Sequence, residues 1–263
     1  MRSVLLGLGV VAGTIVLAAQ LPHGTASAAP DTPPHAVPLT ALGVNPCPNG
    51  APVPAELQLP SQVPPGDPIV LEKRILGYLK TYGYRRLGWC EDKSVRDTGP
   101  YVHGQYYGTH PAVRIYYSPA MMAWLRNGRR GEPADGAVII KEQYSPTPAA
   151  RYAGLPESAL KPTDWTFMIR RRDASRDGWF WGEVWSTMFT NPPSATAYQN
   201  AGFGLYCLRC HGSAESVATF AATSNIKGFP GEPITFYVDD SWRTPPPNQA
   251  VVPKVEPTSL ERE

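Results

Sequence analysis

Between residues 112 and 184 the chain carries four short runs rich in β-branched and aromatic residues: AVRIYYS, DGAVIIKEQYS, WTFMIRRR and DGWFWGEVWS. This series constrains the fold more than any other feature. Turn chemistry separates the runs: Ser118-Pro119 closes the first, the Gly-, Pro- and Asp-rich stretch 128–136 precedes the second, and 173–178 divides the last two. Consecutive strands joined by tight turns pair as an antiparallel sheet. Two helices should flank it. DPIVLEKRILGYLKTYGYRRLG places Ile69, Leu71, Ile75, Leu76 and Leu79 at helical spacing behind an Asp67-Pro68 start signal, and Ser118-Pro119 starts PAMMAWLRNG. The expected class is α+β, β-rich, with an antiparallel sheet and flanking helices. On DGAVIIKEQYS, side-chain alternation puts Ala137, Ile139, Lys141 and Gln143 on one face and Val138, Ile140, Glu142 and Tyr144 on the other.

The ends read differently. Arg2, the apolar run from Val4 to about Leu21 and the small residues Ala26-Ser27-Ala28 make a secretory signal peptide, with cleavage near Ala28. The alternative is an uncleaved anchor; with cleavage, no stable membrane insertion remains and the protein is periplasmic or otherwise exported. Prolines crowd 30–68 and 245–257, which reads as extended wrap or linker. The expected organisation is a signal peptide (1–28), a Pro-rich extension (29–66), one domain (67–240, core about 100–235) and a Pro-rich tail (241–263). No internal repeat is evident. A net charge of +2 implies neither nucleic acid nor an anionic membrane as partner. Seven Trp and thirteen Tyr suit an apolar cofactor pocket and equally an ordinary β-rich core.

Cysteine usage points to chemistry. LYCLRCHGS sets Cys207 and Cys210 three apart with His211 directly after, the CxxCH pattern by which haem is attached through two thioethers and ligated by the adjacent imidazole. The motif begins a helical turn. Such attachment takes place outside the bacterial cytoplasm, in agreement with the signal peptide. Cys47 and Cys90 then remain as an even pair in an oxidising compartment and are expected to form a disulfide. One zinc bound by all four thiols is the competing reading, but it leaves His211 without a role. The cofactor implied is a single covalently attached haem c, with His211 as the proximal metal ligand.

The order of elements resembles the cytochrome P-460 family and the related β-type cytochromes c′. VRIYYSPAMMAWLRNGRRGEPADGAVIIKEQY resembles that family's strand with an arginine, then a Pro-started helix with a tryptophan, then a strand ending in Val/Ile-Lys-Glu. DGWFWGEVW resembles the aromatic strand before the haem motif, and CLRCH stands in the family's position. The similarity covers roughly residues 100–235. It implies that Lys141 is the lysine bonded to the haem macrocycle in the catalytic members; the reading from the strand alone is a lysine with its head in water. A bond of that kind requires a neutral, desolvated amine. The resemblance also implies that Arg114 is a distal arginine, with a surface strand arginine as its alternative. Met168 falls where the family has a distal carboxylate, a departure that weighs against hydroxylamine oxidation because that reaction must shed protons; Glu183 could substitute. Oxidation or binding of small nitrogen species, hydroxylamine or nitric oxide, is the activity implied, with electrons passed to a redox partner protein. The different class is an electron-transfer cytochrome with a closed six-coordinate iron, its sixth ligand drawn from Met121, Met122, Met168, Met188, His103 or His110. Association as a homodimer is left open.

Overall fold

A computed structural model describes residues 45–61, 67–99, 101–102, 105–106, 108, 110–184, 201–203, 207–214 and 217–236, all within one compact unit. The segment expected to be a signal peptide, His103, Met188 and the C-terminal Pro-rich tail lie outside these residues. In chain order the elements are α1 (Asp67–Leu79), β1 (Cys90–Glu91), β2 (Tyr101–Val102), β3 (Gln105–Tyr106), β4 (Ala112–Tyr117), α2 (Pro119–Arg126), β5 (Val138–Tyr144), β6 (Asp164–Arg170), β7 (Trp179–Val184), β8 (Ala201–Phe203) and α3 (Leu208–His211). The fold is α+β and β-rich. Six strands form one antiparallel sheet in the order β1-β4-β5-β6-β7-β8, and β2 and β3 form a separate hairpin.

The four strand runs read from the sequence become β4 to β7, each paired with the next in chain order. Helix α2 starts where Ser118-Pro119 predicts: the Ser118 side chain accepts from Met121 N, and the same oxygen accepts from Val138 N at 2.8 Å, joining the helix start to β5. Both sheet faces are buried. One carries Val113, Ile115, Tyr117, Ile139, Met168 and Trp181 under α2, with Cys207 and Leu208 of the CxxCH segment packed beside them. The opposite face carries Tyr116, Val138, Ile140, Phe167 and Phe180 under Leu71, Ile75, Leu76 and Leu79 of α1. Gly182 on β7 lets the Phe167 ring lie over the backbone; a Cβ there would stand 2.1 Å from Cζ of that ring.

The domain starts earlier than residue 67. Leu57 is fully buried in the α1 layer, Trp89 Nε1 donates to the Ala51 carbonyl at 2.7 Å, and Cys47 and Cys90 form the expected disulfide. Residues 45–61 are thus part of the folded unit. Proline supplies no backbone donors, so this segment joins through Leu57 with Val53 and Leu59 packed beside it, a backbone bond from Ala51 N to the Leu87 carbonyl, side-chain bonds and the disulfide instead of a strand ladder.

Candidate functional site

Register assembles the site. Ile115 faces Lys141, Lys141 faces Thr166, and Thr166 faces Glu183, which makes one row across β4 to β7. The adjacent row on the same face runs Tyr117, Ile139, Met168, Trp181. From these rows Ile115, Lys141, Tyr117, Ile139 and Met168 line a cavity, partly open to solvent, that Cys210 and His211 line as well. Segment 219–221 and Phe236 close it from above; Arg96, Thr98 and His110 enter from the loops before β4.

Cys207 and Cys210 flank one turn of helix that leads into His211, as the motif predicts, and neither is in a disulfide. Burial and the nearby Glu183 carboxylate push the Cys207 thiol up to about 12. His211 is buried. Its Nδ1 lies 2.8 Å from the Ala218 carbonyl, and because a carbonyl only accepts, Nδ1 carries the hydrogen and Nε2 keeps its lone pair. Trp181 meets the ring edge-on at 4.9 Å and Phe220 packs on it at 5.3 Å. Burial, then the charge of Lys141, lowers its pKa to about 3, so the imidazole is neutral.

The turn that supplies the carbonyl is strained. Val217 (φ 49°) and Ala218 (φ 54°) both occupy the left-handed region, which non-glycine residues seldom enter and β-branched ones least of all. Two contacts fix it there: the Val217 carbonyl accepts from Trp179 Nε1 at 2.9 Å and the Ala218 carbonyl from His211.

Lys141 lies on the cavity face, not in open water. Burial, then the Arg96 charge, lowers its amine to about 8, partly offset by Glu183. At pH 7 the amine is mostly protonated, with on the order of a tenth in the neutral form.

Arg114 is a correction. It stands on the other face of β4, where Nη1 bonds Glu157 at 2.5 Å and Nη2 bonds Glu91 at 2.6 Å. Pairing with Glu142 fixes this orientation, because Lys141 and Glu142 point to opposite faces. The arginine in the cavity is Arg96. Its Nε is held by the fully buried Asp92 at 3.0 Å, and Asp92 also accepts from Tyr117 OH and Ile115 N. No strand pattern singles out Arg96, which reaches the sheet from a loop by one isolated bridge to Val113.

Among the other residues read from the sequence, Met168 lines the cavity, whereas Met121 and Met122 of α2 are packed in the core. Glu183 is buried on the Lys141 face. His110 lines the cavity, with Nδ1 at 3.7 Å from a Glu183 carboxylate oxygen. Comparison with family models, with curated proteins and with solved structures finds no match.

Proposed function

We propose that this chain is an exported, single-haem c-type cytochrome of the cytochrome P-460 type that binds or oxidises small nitrogen species. One observation carries the reading: a CxxCH turn borders a cavity with its histidine buried, neutral and oriented by a backbone carbonyl, which leaves Nε2 as a free lone pair. That is the arrangement expected of a metal-ligating imidazole with its outer-shell acceptor already in place. The residues therefore fit a haem held by thioethers from Cys207 and Cys210, each thiol adding across one vinyl group, with His211 as proximal ligand. Haem bound there supplies an iron that takes up small ligands and exchanges electrons with a partner protein.

The protein's own contribution is electrostatic. Arg96, held by Asp92 through Nε and by Tyr117, places its charge on the cavity wall, where it would stabilise a developing anion. Lys141 offers a desolvated amine with a lowered pKa, the property required for a bond to the macrocycle. Glu183 is the carboxylate on the cavity face that can accept a proton from hydroxylamine in place of the family's distal acid, since Met168 cannot. The electron-transfer reading is kept alive by Met168 and His110 in the cavity wall.

The test is production in a host competent for c-type maturation. The haem should remain with the protein through acid-acetone extraction, and Cys207→Ala with Cys210→Ala should release it. Titration with nitric oxide and hydroxylamine should then shift the absorption spectrum. A colourless wild-type protein overturns the reading.

A further inference from the structure

His110 and His211 lie on the same face of the sheet, one row apart. His211 packs on Trp181, while His110 approaches Glu183, two residues further along β7. Alternate residues of a strand are roughly 7 Å apart, and the two imidazoles line one cavity from different segments, His110 from the loop before β4 and His211 from the CxxCH turn.

The backbone of His110 is fixed with unusual care for a loop residue. Its carbonyl accepts from Thr98 Oγ1 at 2.8 Å and from Tyr106 OH at 2.6 Å, and its amide donates to Thr98 Oγ1 at 3.2 Å. In the ring, by contrast, Nδ1 is buried without a hydrogen-bond partner, the Glu183 carboxylate lying beyond bonding distance at 3.7 Å. Burying an imidazole without a partner costs free energy, so such a ring calls for a function. With Nδ1 turned toward Glu183, Nε2 is the nitrogen left for the cavity. A histidine leaning one nitrogen on a carboxylate and presenting the other is the usual form of a metal ligand.

We propose that His110 is the sixth ligand of the haem iron in the resting protein, with Glu183 as its orienting carboxylate, so that an incoming ligand must displace an imidazole. The inference rests on haem attachment at Cys207 and Cys210 as proposed above. Met168 is the competing ligand, but it stands directly across from Trp181, the residue that packs on His211, and is embedded in the apolar cluster. Met168 thus belongs to the row that packs on His211, whereas His110 approaches the neighbouring row at Glu183.

The experiment uses the haem-loaded protein. The ferric wild type should be low-spin at neutral pH, and electron paramagnetic resonance with near-infrared magnetic circular dichroism should give two imidazole ligands. His110→Ala should turn it high-spin, with added imidazole restoring the low-spin form, and its apparent affinity for cyanide should rise by roughly tenfold or more because no internal ligand competes. Met168→Leu should remain low-spin. A pyridine haemochromogen assay on each variant reports attachment separately. A colourless wild type overturns the haem reading and this inference with it. A coloured, high-spin wild type, an imidazole–thioether signature, or a low-spin His110→Ala overturns the inference alone. The wild-type spectra decide the matter even if the variant does not fold.

Discussion

Ala218 holds His211. The carbonyl of a residue in the left-handed region accepts the Nδ1 hydrogen of an imidazole seven positions earlier, at 2.8 Å. Strain at Ala218 is therefore tied to the orientation of His211. Ala218→Gly removes the Cβ penalty and should stabilise the protein by about 0.5–1 kcal/mol in urea unfolding, with the haem spectrum unchanged. Ala218→Val should do the opposite: it favours extended backbone, withdraws the carbonyl and broadens the spectrum as the ring loses its anchor.

Lys141 should declare itself in two ways. If the amine is bonded to the macrocycle, the reduced Soret band lies well to the red of an ordinary c-type haem, a tryptic haem peptide joins the Lys141 segment to CLRCH, and Lys141→Ala restores the ordinary spectrum with both thioethers intact. An ordinary wild-type spectrum would remove the crosslink.

The second sign of Lys141 is a pH dependence, read in the protein with Cys207→Ala and Cys210→Ala, which carries no attached haem. Its folded pKa of about 8 lies below the model-compound value of 10.5. Between those values the unfolded chain binds more protons than the folded one, so stability climbs as pH rises through that window and is flat below it. Lys141→Met should abolish the climb and be more stable than its parent at pH 7, as measured by urea unfolding across the range.

Arg96 and Arg114 should separate cleanly. Arg114→Met removes bonds to Glu91 and Glu157 on the far face and should cost on the order of 1–3 kcal/mol of stability with ligand affinity unchanged. Arg96→Lys keeps a charge beside Asp92 but loses the planar fork, so nitric oxide or hydroxylamine should bind about tenfold more weakly, the worth of one charge-assisted hydrogen bond. Affinity titrations and denaturation curves on both variants check the split.

The disulfide should matter through the segment it retains. Cys47 and Cys90 are 43 positions apart, and closing a loop of that length is worth about 4 kcal/mol in the chain-entropy account. Alkylation without reductant should label neither cysteine in mass spectrometry. Cys47→Ser with Cys90→Ser should lower stability by up to that amount and expose residues 45–61 to protease first.

The strands were legible because each alternates over several residues between bounded turns, and the two-residue period survives tertiary context. The disulfide was legible from cysteine arithmetic. Arg114 was not, because alternation within β4 says which residues share a face but not which face meets the cavity. Only the pairing with β5 does so: Lys141 lies opposite Ile115 and Arg114 opposite Glu142, so Lys141 and Arg114 cannot both enter one pocket. Arg96 and His110 reach the cavity from loops, where no period marks direction. The 45–61 segment was hidden by its prolines, since a single buried leucine gives no pattern.

Lys141 and Glu142, neighbours in the chain, face two chemically opposed compartments. Glu142 is sealed on the far side, accepting from Tyr84, Tyr144 and Arg85, while Lys141 belongs to the cavity. A slip of β5 by one position would drive the carboxylate into the cavity and the ammonium among the tyrosines, forfeiting both environments together. The sheet thus has a proofreading step built into its middle strand, and alignment errors there are penalised from both sides. A single-residue insertion within Val138–Tyr144 should be far less tolerated than the same insertion in the turn at 128–136 or in the connection after Tyr144.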